Sequence, residues 1–439
     1  MVELTYNYPR VAYYLGRLLR HTHWSQKQLQ DYQDKHTRQV VRYAYENVGF
    51  YHDKMRQIRV KPDDVRAVAD LKKLPLVARD ELQKCGEGLV SREFRVSNLR
   101  AASTSGSSGK PLLTYLTRSE DEFRKAKLLR PHVICGQRPW DKWVLIEPLQ
   151  NIKNVGQLQR LIRFYSPVYV SIFDPPSKQV SRIEELQPDV LDGLSNSILL
   201  VAREVEENGL ETIRPRFIMG GAEQIDASDH KVIERSFDAP FYDQYASEEL
   251  QMIAWQCPEE DEYHVDADSL VVEFVDEDGE EIGPGESGEL VCTSLFNYAM
   301  PFLRYKLGDL AVRSEKTSCK CGRSFPLLKT IEGRKDSLVT LPSGRKIPPL
   351  AFGYAMEFYK FYRNVYQYRV IQKRQNVLRF EVKKKNRPVN EEEMRVELIA
   401  HIRRMLGMDE SEVVIDVEFV DSIPLDKSGK LKKVLSEID

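Results

Sequence analysis

The chain has 439 residues, with 65 Lys and Arg against 67 Asp and Glu for a net charge of −2. Hydrophobic residues at 41% and charged residues at 30% exclude a mostly disordered, collagen-like or membrane-embedded protein, and the length asks for two or more domains. The near-neutral balance argues against a dedicated nucleic-acid binder, and no apolar run approaches the roughly 20 residues of a membrane span.

The segment Met1 to Arg20 is studded with Tyr and Arg and does not read as a signal peptide, so a cytoplasmic protein is expected. The stretch Ser25 to Gln57, rich in Gln, Lys, Arg and Tyr, reads as helical. Pro75 and the residues Val77 to Leu82 read as a turn into a short helix. The middle of the chain alternates strand-like runs (Trp143 to Ile146, Val168 to Ile172, Phe217 to Met219) with amphipathic helical stretches such as Ser195 to Glu207. That alternation predicts an α/β sheet covered by helices. Leu270 to Cys292 reads as a β-hairpin, with Asp278-Gly279 as its turn. Past Arg334 come two short strands around Pro342-Ser343-Gly344, then a helix (Pro349 to Phe361) and strands at Tyr366 to Gln372 and Val377 to Val382. A helix (Glu391 to Leu406) and a strand (Glu412 to Val420) follow. This tail of about a hundred residues suits a small α+β unit of its own. The expected division is therefore a large body, 1–335, and a small C-terminal domain, 336–439.

The sharpest local feature is Ser103-Thr104-Ser105-Gly106-Ser107-Ser108-Gly109-Lys110-Pro111. Glycines let backbone N–H groups approach an anion, and hydroxyls and a lysine add donors and charge, which suits a polyphosphate. A flexible surface loop has the same composition, and Pro111 after Lys110 departs from a Walker A loop. Further along stand Gly220-Gly221-Ala222-Glu223 after a strand, Tyr245 to Glu249, Gly308-Asp309, Gly333-Arg334-Lys335-Asp336 and Pro424 to Lys430. Each alone is an ordinary turn.

In that order, together with Asn297 to Tyr305, they resemble the adenylate-forming superfamily of acyl- and aryl-CoA synthetases, adenylation domains and luciferases. The likeness is nearest to its phenylacetate–CoA ligase and CapK-like branch. It implies a large multi-subdomain N-terminal body with β-sheets and covering helices, and a small mobile α+β C-terminal domain. It also implies ATP-dependent activation of a small carboxylic acid to an acyl-adenylate with release of pyrophosphate. The acyl group would then pass to the thiol of CoA or of a carrier protein's phosphopantetheine. Transfer to a hydroxyl or amine, or nucleotide binding without catalysis, stays open.

By the resemblance, Ser103 to Lys110 hold the β- and γ-phosphates of ATP, and Gly220, Gly221, Ala222 and Glu223 line the adenine and acyl pocket. Tyr245 packs on adenine, Glu249 binds Mg²⁺, and Asp309, assisted by Arg334, bonds the ribose. Asp336 is the hinge, and Lys430 contacts the carboxylate and α-phosphate. The chemistry agrees, because two anionic reactants need Mg²⁺ and a placed lysine to offset their repulsion. Ala246, Glu248 and Leu307 depart from the family pattern, and Glu248 either adds negative charge beside Glu249 or turns away. The basic run Lys383 to Arg387 suits CoA phosphates or a solvated turn.

Six cysteines are too few for a disulfide scaffold. Cys257, His264, Cys319 and Cys321 make the ligand set of a closed structural zinc site, although the spacing is not that of a standard zinc finger. Four unrelated residues would read the same way. The resembled proteins often carry this pattern, which implies structural Zn²⁺ bracing the segments after Glu249 and after Asp309.

Overall fold

A computed structural model describes residues 7–103, 112–148, 159, 161 and 163–438. The chain forms two units, Met1–Gln137 with Gln244–Thr330, and Arg138–Asp243 with Ile331–Asp439.

In the first unit, Asn7 accepts from the Arg10 amide and starts the helix Tyr8–His21. Ser25 and Gln28 form a capping box for the helix Gln26–Asn47. The single helical stretch expected over Ser25 to Gln57 is broken at Val48, which is extended (φ −124°, ψ 110°), and a separate helix Gly49–Gln57 follows. The Val48 side chain is fully buried, so packing outweighs helical continuity there. Thr117 and Glu120 cap the helix Arg118–Ile134.

That helix turns Arg124, Lys127 and Arg130 inward, and all three are buried. Arg130 pairs with Asp266 and Asp268, and Lys127 lies 3.2 Å from Asp266. His21 Nδ1 is 2.9 Å from Asp268. Burial alone would raise the Asp268 carboxyl, yet the charge of Arg130 and the contact with His21 hold it below its ordinary value. The strands of this unit run in the order Leu270–Val275, Ser287–Ser294, Tyr305–Arg313, Leu327–Arg334, Glu260–Val265, Gln251–Cys257, then Phe241–Ser247. The predicted hairpin is present in antiparallel register, Leu270 opposite Ser294 and Val275 opposite Glu289. Gly279 takes φ +86° in its turn, and a Val275–Glu281 bridge makes the connection longer than a tight two-residue turn.

The second unit carries parallel strands in the order Phe217–Gly221, Val190–Leu194, Trp143–Glu147, Val168–Ser171. Helices Pro176–Leu186, Ser195–Asn208 and Ala227–Phe237 cover them around one apolar core of Val144, Ile146, Ile198, Ile218 and Phe237. A second core, including Phe352, Phe380, Leu398 and Ile402, lies entirely within the C-terminal stretch. There a four-stranded sheet, in the order Val414–Phe419, Val377–Lys384, Val365–Arg374, Val434–Ser436, packs with helices Pro349–Glu357 and Glu391–Leu406. The α/β class read from the alternating pattern is therefore the one observed. Among the described residues, no helix is long and apolar enough to cross a membrane.

Removing one partner of a buried charge cluster leaves the others uncompensated. Asp268→Ala is expected to cost about 3–5 kcal/mol in chemical denaturation. Asp80→Ala, at an exposed pair with Lys84, should leave the unfolding midpoint unchanged.

Candidate active site

In the first unit, Glu249 is 3% exposed. Arg79, at the start of the helix Arg79–Cys85, approaches its Oε1 at 2.8 Å, and the Tyr305 hydroxyl donates to the same oxygen at 3.0 Å. Glu249 Oε2 accepts no hydrogen bond among the described residues, the open position that a hard cation requires. Burial, then the Glu249 charge, pushes the Tyr305 phenol up, so it stays a donor. The backbone beside Glu249 is held from the helix Arg118–Ile134. Arg124 donates to the Glu248 carbonyl (2.7 Å) and Lys127 to the Leu250 carbonyl (2.9 Å). The Glu248 carboxylate also meets Arg124, at 3.3 Å, so its charge is offset by that guanidinium.

Tyr245 and Asp309 are brought together, the phenol donating to Asp309 Oδ2 at 2.6 Å. Asp309 follows Gly308 in the strand Tyr305–Arg313, and Tyr245 stands near the end of Phe241–Ser247. Of the expected phosphate loop, Ser103 closes the strand Arg100–Ser103, which pairs with Leu113–Leu116. Thr104, Ser105, Gly106, Ser107, Ser108, Gly109 and Lys110 lie outside the described residues.

Cys257, His264, Cys319 and Cys321 converge, their donor atoms all within 4.8 Å of one another. Adjacent strands carry the first two, and the loop before Leu327–Arg334 carries the others. Cys257 Sγ lies 3.6 Å from Cys319 Sγ, and Cys321 Sγ lies 3.3 Å from His264 Nε2. Donors at about 2.0–2.3 Å from a tetrahedral zinc would be spaced this way. The Cys321 amide points at Cys319 Sγ from 3.4 Å, a contact that supports a thiolate ligand. Burial pushes the Cys257 and Cys319 thiols up. A bound cation would reverse that preference, since a coordinating thiol is deprotonated.

In the second unit, Gly220, next to last in the strand Phe217–Gly221, lies against the Phe241 ring, where a Cβ would lie 2.3 Å from Cζ. Only glycine fits that close approach. Ala222 then takes a left-handed φ of +64°, and Glu223 turns its carboxylate to two amides, Leu431 at 2.6 Å and Asn196 at 3.1 Å. Burial raises the Glu223 carboxyl, opposed by these donors and by the charge of Lys430. Lys430 closes a tight turn. Asp426 Oδ1 accepts from the Ser428 and Lys430 amides (2.8 and 3.0 Å), and Gly429 sits at φ +83°. The Lys430 ammonium makes no hydrogen bond among the described residues. Arg334 Nε lies 3.6 Å from Asp336 Oδ1, both partly exposed. The basic run is engaged: Lys384 pairs with Glu391, Lys385 with Glu206, and Lys383 lies over the Tyr366 ring.

Arg79 was not singled out from the sequence, nor were Asp226, Asp229, Arg203, Tyr362 and Lys433. The one local signal for the second group is Asp226, which starts the helix Ala227–Phe237 and accepts from the Asp229 amide at 2.9 Å.

No protein-family model matches the sequence. The structure superimposes on 2-hydroxyisobutyryl-CoA ligase, solved in the postadenylation state with an acyl-adenylate, with a TM-score of 0.79. The two share 19% identity over 95% of this chain and 91% of that one. The fold is that of the adenylate-forming CoA ligases. At the level of sequence, phenylacetate–coenzyme A ligase of Thermus thermophilus is 26% identical over 334 residues, 72% of each chain. Protein CapK of Staphylococcus aureus is 23% identical over 324 residues, 70% of this chain and 68% of that one. The chain is thus similar in sequence to the phenylacetate–CoA ligases and to CapK, and shares its fold with the adenylate-forming CoA ligases.

An added Cβ at Gly429 would lie 1.6 Å from Ile172 Cδ1, on a backbone that side chains rarely adopt. Gly429→Ala is expected to displace the Lys430 turn and cost about 1–3 kcal/mol in thermal or urea unfolding.

Proposed function

We propose that this protein is an AMP-forming acid–thiol ligase that activates a small carboxylic acid with ATP and transfers the acyl group to CoA. A carrier-bound phosphopantetheine would serve as the same kind of thiol. The observation that carries the reading is Lys430: its backbone is pinned by Asp426 and, through Leu431, by Glu223, while its ammonium has no hydrogen-bonding partner among the described residues. A cation fixed in this way is what two anionic reactants require.

In the first step a carboxylate oxygen attacks the α-phosphorus, the bond to the β-phosphate breaks, and pyrophosphate leaves. In the second step the thiol loses its proton and its sulfur attacks the acyl carbon, with AMP as the leaving group. Lys430 serves the carboxylate and α-phosphate, and Tyr245 with Asp309 serves the adenosine, assisted by Arg334. Ser103 to Lys110 serve the outer phosphates. Glu249 supplies the carboxylate for Mg²⁺, which when bound offsets phosphate charge. In the same reading residues 336–439 form the moving domain, with Asp336 at its hinge, and Gly220 to Glu223 support the Lys430 turn beside the adenine and acyl pocket.

The four Cys and His donors serve a structural Zn²⁺, since a closed set of three sulfurs and one nitrogen leaves no position for substrate. Elemental analysis of protein purified without chelator should give about one zinc per chain; a content well below that contradicts the assignment.

The ligase reading is tested by acid-dependent ATP–pyrophosphate exchange over a panel of carboxylic acids, with phenylacetate and 2-hydroxyisobutyrate as first probes. Wild-type exchange is expected with at least one acid, falling about 100-fold or more in Lys430→Ala. Silence across the panel, or exchange untouched by Lys430→Ala, contradicts it.

A further inference from the structure

The segment carrying Lys430 is gripped on both sides of that residue. Upstream, Asp426 Oδ1 accepts from the Lys430 amide. Downstream, the Leu431 amide donates to Glu223, and Lys433 Nζ lies 2.5 Å from Asp229 Oδ2 and 3.3 Å from Asp226 Oδ2. The Asp226 and Asp229 side chains are 4% and 1% exposed, and that of Lys433 is 15% exposed. Arg203 Nη2 meets Asp229 Oδ1 at 2.8 Å, and the Tyr362 hydroxyl donates to the same oxygen.

Lys433 and Arg203 therefore face the carboxyl groups of Asp226 and Asp229. Burial would raise Asp229, but Lys433 and Arg203 hold it well below its ordinary value. Burial would lower Lys433, and the two aspartates hold it above its ordinary value. Asp229, Lys433 and Arg203 are thus held in their charged forms, whereas burial and the neighbouring Asp229 push the Asp226 carboxyl upward.

A buried ion cluster is a weak source of stability compared with apolar packing of the same volume, and its best-attested use is to specify one arrangement or to switch. Its two halves stand on separate cores. Asp226, Asp229 and Arg203 belong to the helices covering the parallel strands, whereas Tyr362 and Lys433 belong to the C-terminal stretch, which has its own core.

We propose that Lys433, with Asp226, Asp229 and Glu223, forms a latch that positions Lys430 for adenylate formation and opens before thiol attack. Lys433 is a positioning residue, acting through the backbone it shares with Lys430. The proposal rests on the ligase reading above.

The test is Lys433→Met in the full-length protein, with three readouts. ATP–pyrophosphate exchange, using whichever panel acid gives most exchange in wild type, should fall about tenfold or more in kcat. Conversion of pre-formed acyl-AMP of that acid and CoA to thioester should be unchanged or faster. Amide hydrogen exchange from Asp426 to Ser436 should quicken about tenfold or more, with the helix Glu391–Leu406 unaltered. Lys433→Arg, which keeps the charge, should recover most of the exchange activity. If Lys433→Met does not fold, Asp226→Asn, which keeps Asp229 paired with both cations, should show the same pattern at smaller amplitude. Equal loss in both half-reactions, or unaltered protection at Leu431, overturns the latch. If wild type exchanges pyrophosphate with no acid, the ligase reading fails, and protection at Leu431 alone then decides whether Lys433 holds the segment.

Discussion

The hydrogen bond from the Leu431 amide to the half-buried Glu223 carboxylate, 2.6 Å long, is the contact on which the placement of Lys430 depends. A buried carboxylate must find donors or lose its charge. Glu223 finds two backbone amides, one on the helix Ser195–Asn208 and one immediately after Lys430. The Gly220-Gly221-Ala222 run that precedes it lets the chain pass under Phe241 and turn sharply enough to aim the carboxylate. A glycine-rich strand end of this kind suggests a ligand in sequence. Here the same backbone economy holds Lys430 in place through its neighbour.

The first unit solves a related problem with charges of the opposite sign. Arg124, Lys127 and Arg130 stand three residues apart on one helix, and are buried against Glu248, the Leu250 carbonyl, Asp266 and Asp268. Two of them grip the backbone on either side of Glu249, so the position of that carboxylate is set by a helix rather than by its own loop. Arg79 and Tyr305 share one of its oxygens and leave the other open among the described residues. Reaction between a carboxylate and a polyphosphate demands that charge be arranged in advance, and preorganised groups serve this better than flexible ones.

Much of this was legible in the sequence, for reasons that differ by element. The alternation of Trp143 to Ile146, Val168 to Ile172 and Phe217 to Met219 with helical stretches reports a parallel sheet because fully buried strands cannot alternate with polar residues. Gly279 and Gly429 announce their turns because their positive φ angles exclude most side chains. Cys257, His264, Cys319 and Cys321 could be grouped by chemistry although strand pairing, not spacing, brings them together. The partners of Lys433 and Glu249 could not be read. Asp226 and Lys433 are more than 200 residues apart, and an Asp or Arg destined for burial looks like any surface charge until tertiary structure pairs it. The break at Val48 was hidden for the same reason: its side chain is claimed by the core, not by its helical neighbours.

The most direct measurement follows the oxygen that the carboxylate must contribute. Acid carrying ¹⁸O in both carboxylate positions is turned over with ATP and CoA, and the products are weighed by mass spectrometry. Attack on the α-phosphorus followed by thiolysis puts one labelled oxygen into AMP and leaves pyrophosphate unlabelled. Label in inorganic phosphate accompanied by ADP, or AMP without label, would contradict an acyl-adenylate intermediate.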